Sequence, residues 1–220
     1  FAGIISRLPS SVESARKYLE TGEPQYYIWV PLMFILGFVL IVLMVILTNA
    51  ERRIPVQYAK RVVGRKQYGG QNTFMPIKVN MSGVMPIIFA SAFVSIPATI
   101  AGFLPPKGPG FYATLVSVFS TSSWVYALVY FILIILFNYF YVSIQYNPIE
   151  MANNLRKNNG AIPGIRPGKP TSDFIMKVLL KIVLVGALFL AIAAVAPIII
   201  QRISKMQLAL AGTSVLIVVG

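Results

Sequence analysis

Two residue types that dominate biological catalysis are missing from this sequence. There is no Cys, which excludes a disulfide frame, a thiol nucleophile and a thiolate metal site. There is no His either, which removes the commonest general base and the commonest metal ligand. Six acids remain, at Glu13, Glu20, Glu23, Glu51, Glu150 and Asp173. None lies at membrane depth in the apolar stretches described below. The sequence therefore predicts no enzyme activity, no metal and no cofactor. Its charged chemistry is cationic: 19 Lys and Arg against those six acids give a formal balance of +13.

The elements that must carry this charge are greasy. The chain has 220 residues, of which 57% are hydrophobic and 11% charged, with a mean hydropathy of +0.75. Soluble domains carry about a quarter charged residues, so the composition points to a membrane protein and excludes a disordered or nucleic-acid-binding tail. Crossing the hydrocarbon core takes about 20 apolar residues. Uncharged stretches of suitable length lie at 27–48, 79–104 and 124–145. A fourth lies at 182–200, entered through an amphipathic turn from Phe174 that carries Lys177 and Lys181, and 208–220 is a truncated fifth. Pro86 and Pro97 are expected to kink the second span. The expected fold is an all-α integral membrane protein, a polytopic helix bundle forming one domain over residues 1–220. The opening has no Met and no basic leader, and the close falls inside an apolar run. Partner helices outside this sequence are expected at both ends.

Charge is distributed by connection. Residues 49–78 hold seven bases (Arg52, Arg53, Lys60, Arg61, Arg65, Lys66 and Lys78) and one acid. Residues 146–181 hold six (Arg156, Lys157, Arg166, Lys169, Lys177 and Lys181) and two acids. Residues 1–26 are balanced, 105–123 carry only Lys107, and 201–207 carry Arg202 and Lys205. Rich and poor connections alternate, as a positive-inside bias requires, so loops 49–78 and 146–181 are expected in the cytoplasm.

Both rich loops are longer than topology needs. The first alternates apolar and polar residues at 53–59 and again at 73–79, the pattern of half-buried strands, so a hairpin-like protrusion is expected. Its prolines are expected to keep both arms from being central strands. In the second, Gly160, Gly164 and Gly168 with Pro163, Pro167 and Pro170 predict a stiff turn displaying Arg166 near its tip. The spacing is not that of a phosphate-binding loop, because Pro170 stands where Ser or Thr would follow Gly168-Lys169. Topology and attraction to anionic lipid, worth about 1 kcal/mol per base, explain the number of cations. They do not explain a rigid turn built around one Arg. Arg suits bidentate contact with phosphate or carboxylate, so a large polyanionic or acidic partner, RNA or protein, is expected on this face. The second span carries Ser82, Gly83, Ala90, Ser91, Ala92, Ser95, Ala98 and Thr99 among its aliphatics. Such residues serve ordinary helix packing or a contact that separates at little cost.

The run from Lys78 to Ser91, KVNMSGVMPIIFAS, resembles the entry to the seventh transmembrane segment of the bacterial SecY family, central subunits of the Sec protein-translocation channel. The run from Arg52 to Arg61 is similar to the stretch before it. Tyr146-Asn147-Pro148, Ala152-Asn153-Asn154-Leu155 and Pro163-Gly164-Ile165-Arg166-Pro167-Gly168 resemble the loop between segments eight and nine, and Gly212 to Val219 the opening of segment ten. The resemblance is collinear over essentially the whole chain and implies segments six to ten, the C-terminal half of the channel. It implies that Ile88 and Ile217 belong to an aliphatic pore ring. Val84, Ala92 and Ile96, at four-residue spacing with Ile88, would share its pore and lateral-gate face. It also implies that Arg52, Arg53, Lys60, Arg61, Arg65, Lys66, Arg156, Lys157, Arg166 and Lys169 dock the ribosome and the SecA motor. SecE and SecG subunits, signal sequences, nascent polypeptides and anionic lipids are the other implied partners. The competing expectation is a small-solute transporter or channel of another family. That class would show charged or substrate-coordinating residues in its spans, where Asn138 and Gln201 are the main polar outliers.

Overall fold

The computed structural model describes residues 7–20, 24–58, 61–63, 66–68, 72–103 and 123–204. Helix α1 (Arg7–Glu20) is followed by α2 (Pro24–Asn49). Strands β1 (Glu51–Tyr58), β2 (Arg61–Val63), β3 (Lys66–Tyr68) and β4 (Asn72–Lys78) come next. Then follow α3 (Met85–Phe103), α4 (Trp124–Gln145), α5 (Pro148–Lys157), the two-residue β5 (Gly160–Ala161) and α6 (Lys169–Ser204). Among the described residues, α2, α4 and α6 are long and apolar enough to cross a membrane, and α3 is a shorter apolar helix. The helical bundle expected from hydropathy is present. The stretch 208–220 lies outside the described residues.

The helix α3 starts later than its apolar run. Residues 79–84, read from sequence as part of the span, form a turn in which Gly83 takes a left-handed backbone, φ +60°. Pro86 therefore falls in the first helical turn and not in mid-span. It costs no hydrogen bond there, because first-turn N–H groups have no intrahelical acceptor. The N–H groups of Ile87 and Ile88 both reach the Val84 carbonyl, at 3.1 and 3.2 Å. Only Pro97 lies inside the helix.

The first basic loop folds as two antiparallel ladders. β1 and β4 pair from Glu51↔Lys78 to Gln57↔Asn72, and β2 pairs with β3 beyond them. The sheet order is β4-β1-β5, so β1 is central despite Pro55, against the sequence expectation. The register explains this. Pro55 opposes Phe74 on the β4 side, while β5 pairs only with Gln57 and Tyr58. The edge beside the proline is left unpaired, so the missing N–H breaks no second ladder.

The second loop folds as a helix followed by the expected turn. Asn147 caps α5 by accepting the Ile149 N–H at 3.1 Å, with Pro148 in the first turn. Such residues favour a helix start, and Glu150 in the first turn with Arg156 and Lys157 in the last suits the helix dipole. After β5, α6 runs unbroken for 36 residues, or about 54 Å at 1.5 Å per residue. Its first residues replace the separate amphipathic turn expected near Phe174.

That length lets α6 serve two cores. The apolar core joins Met44 of α2, Ile87, Ala90 and Val94 of α3, Tyr130 and Ile134 of α4, and Leu190, Ala191, Ala193, Ala194 and Val195 of α6. The loop-side core joins Ile54, Val56 and Ile77 of the sheet to Ala152 and Leu155 of α5, Ile162 of the turn, and Ile175, Leu179 and Ile182 of α6. Between them, Gly186 of α6 lies so close to the chain at Val79 that a Cβ there would run into the Val79 carbonyl oxygen.

Candidate functional site

Two surfaces gather the residues singled out from sequence. The first is the outer face of α3. This helix turns Pro86, Ile87, Ala90 and Val94 inward and packs on α4, where Phe137 meets Phe89 and Phe93 with ring centroids 5.9 and 5.0 Å apart. Its opposite face carries Ile88, Ala92 and Ile96, all exposed, Ile88 at 39% and Ile96 at 46%. Val84 does not belong to the helix. It lies in the preceding turn, half-buried against the apolar core. The hydroxyls along this face are already engaged by their own helix. Ser91 donates to the Ile88 carbonyl at 2.8 Å, Ser95 to Ala92 at 2.7 Å and Thr99 to Ser95 at 2.9 Å. The exposed strip is thus uncharged and short of free donors. Ile217 lies outside the described residues.

The turn before α3 is less comfortable. Asn80 and Ser82 are buried, and their side-chain polar atoms have no hydrogen-bond partner, at a cost of about 1–3 kcal/mol for each such group.

The second surface is basic. Arg52 and Arg53 are exposed on β1, opposite Ile77 and Pro76. Arg53 is partly neutralised by Glu51, Nε to Oε1 2.9 Å. Arg156 and Lys157 are exposed on the last turn of α5, and Lys169 at the start of α6. The backbones of Arg61 and Lys66 lie in β2 and β3; their side chains, and Lys60 and Arg65 altogether, fall outside the described residues. The pairing of β1 with β5 brings the two loops, separate in sequence, into one body. A cleft of about 300 Å³ opens between sheet and α5, lined among others by Val56, Phe74, Met75, Asn154 and Leu155.

Arg166 is exposed between two left-handed glycines, Gly164 at φ +81° and Gly168 at φ +109°. The Ile165 N–H donates to the Ile162 carbonyl at 3.1 Å, closing the turn that precedes it. The Thr171 hydroxyl donates to the Arg166 carbonyl at 2.8 Å. Sequence reasoning found the glycines and prolines of this turn and missed Thr171. Among the described residues no group of three or more acidic side chains could hold a metal.

A family model for SecY matches residues 1–220, the whole chain. The chain belongs to the SecY family. It is 42% identical over 221 residues to the protein translocase subunit SecY of Thermotoga maritima, covering 100% of this chain and 48% of that protein. It is 42% identical over 203 residues to the Corynebacterium glutamicum subunit of that name, covering 90% and 45%. The chain thus spans about half the length of the curated relatives it matches. Two solved structures share the fold. One, described as "The structure of a protein conducting channel", aligns at TM-score 0.54 and 17% identity over 95% of this chain and 50% of that one. The other, from work on the SecY plug domain, aligns at TM-score 0.56 and 18% identity over 94% and 51%. SecY family membership and the three long apolar helices make this chain part of a multi-pass membrane protein.

Proposed function

We propose that this chain is the C-terminal half of the pore-forming subunit of a protein-conducting channel. The channel passes unfolded secretory polypeptides across the plasma membrane and releases transmembrane helices sideways into lipid. The observation that carries this reading, in a chain of the SecY family, is the outer face of α3. A passing polypeptide presents every kind of side chain. A wall with fixed charge or free donors would hold some sequences and reject others, whereas aliphatic groups and self-bonded hydroxyls do neither. Ile88, with Ile217, supplies part of an apolar ring that is too dry for ions yet deforms around an extended chain. Val84, Ala92 and Ile96 extend the same pore and gate wall. The spans are 27–48, 79–104 (its helix starting at Met85), 124–145, 182–200 and 208–220.

The basic body, with loops 49–78 and 146–181, faces the cytoplasm under the positive-inside rule. Arg52, Arg53, Lys60, Arg61, Arg65, Lys66, Arg156, Lys157, Arg166 and Lys169 form the docking surface for the ribosome and the SecA motor. SecE and SecG accompany the subunit, and anionic lipid meets the remaining cations. The chain itself is not an enzyme, so the energy for transport comes from a partner or from chain elongation. A small-solute transporter would need coordinating charge at membrane depth, and α2, α3 and α4 carry none.

Photocrosslinking tests the pore assignment. A photoreactive residue at Ile88 or Ala92 in the full-length channel is expected to form adducts with a signal-bearing protein arrested during export. Silence at both positions would overturn the assignment.

A further inference from the structure

We infer that Thr171 is a positioning residue for Arg166, holding the direction in which its guanidinium is offered to an anionic partner. The inference rests on the docking role proposed above for Arg166. An exposed Arg on a flexible loop samples many directions and loses that freedom on docking, which weakens binding. Here the backbone that carries Arg166 is fixed on each side. Pro167 restricts Arg166 to extended conformations, and Gly164 and Gly168 hold left-handed turns two residues before and two after. What remains is rotation of the peptide unit between Arg166 and Pro167. Its carbonyl is taken by the Thr171 hydroxyl at 2.8 Å.

Thr171 is well placed for that task. It is 4% exposed and sits in the first turn of α6, where its own N–H donates to the Gly168 carbonyl at 3.1 Å. The hydroxyl is therefore anchored to α6, the longest of the described helices, and reaches back five residues to the turn. Arg166 contributes the charge and Thr171 contributes its aim.

The test uses the full-length channel in lipid nanodiscs, with purified ribosomes and the translocation motor each titrated against it. Thr171→Val keeps the shape and removes the donor, and is expected to weaken docking by up to roughly tenfold. Thr171→Ser keeps the donor and is expected to restore it. In an Arg166→Ala background, Thr171→Val is expected to add nothing. If Thr171→Val does not accumulate, Thr171→Ala removes the hydroxyl without placing a second methyl in the buried site and carries the same comparison. Equal loss with and without the Arg166 side chain would make Thr171 merely structural and overturn the inference. So would unchanged docking in Thr171→Val when Arg166→Ala alone is defective. No defect in Arg166→Ala would overturn the docking role itself, and the inference with it.

Discussion

The apolar core and the basic body are built on different physics, although α6 runs through both. In the apolar core α3 rests on α4 through Ile87, Ala90 and Val94 and the rings of Phe89, Phe93 and Phe137. The α3 hydroxyls bond inside their own helix, so no described hydrogen bond of theirs ties the helix to its neighbour. Contacts of that kind are non-directional and tolerate sliding. The basic body has an apolar core of its own and adds directional groups to it: the β4-β1-β5 ladders, the Asn147 cap, left-handed glycines and the Thr171 hydroxyl. The difference teaches where each job is placed. Under the function proposed above, the wall that would part for a passing chain is made of smooth contact, and the surface that would present cations to a partner is made of ladders and turns.

Leu155→Ala gives the largest effect and breaks the comparison if the two regions are not separable. Leu155 is buried between the sheet and α6, and its truncation is expected to cost about 2–5 kcal/mol. Limited proteolysis of membrane vesicles should then cut residues 49–78 and 146–168 while the apolar helices stay inserted. Joint loss of both regions would mean that they fold as one unit. Gly186→Val is expected to cost less, about 1–3 kcal/mol. Its side chain meets the Val79 backbone at the junction of the two cores. The melting temperature of the detergent-solubilised channel should fall, and an unchanged value would show that α6 can shift away from that turn. Ser95→Ala is the smallest: its hydroxyl already serves the Ala92 carbonyl, so stability should change by no more than about 0.5 kcal/mol. Export should proceed as before. An export defect would mean that this hydroxyl turns toward the passing chain, and the α3 face would no longer be indifferent to sequence.

The parts of this design that follow local patterns were legible in the sequence. Apolar runs gave the helices, and alternation around Ile54 and Val56 gave the first-loop strands. The glycines and prolines gave the turn at Arg166. What escaped depends on distant partners. Residues 169–181 look amphipathic because Ile175 and Leu179 are covered by β1, β4 and α5, so a continuous α6 could not be read before those elements were placed. β5 is two residues long and exists only because Gln57 and Tyr58 come beside it. The start of α3 turned on Gly83, whose left-handed backbone ends the preceding extended run; hydropathy cannot see that. Asn147-Pro148 ahead of Glu150 was a readable helix start, hidden by its position in a loop assigned to topology.

The length of α6 has a mechanical consequence. A rod seated in both cores couples them, so that movement of the basic body would be passed along α6 to the apolar core. The compliant point of such a lever is not at the membrane surface. It lies near the far end, at Pro197, which has no N–H to return to the Ala193 carbonyl. Bending costs least there, where the helix lacks one backbone hydrogen bond.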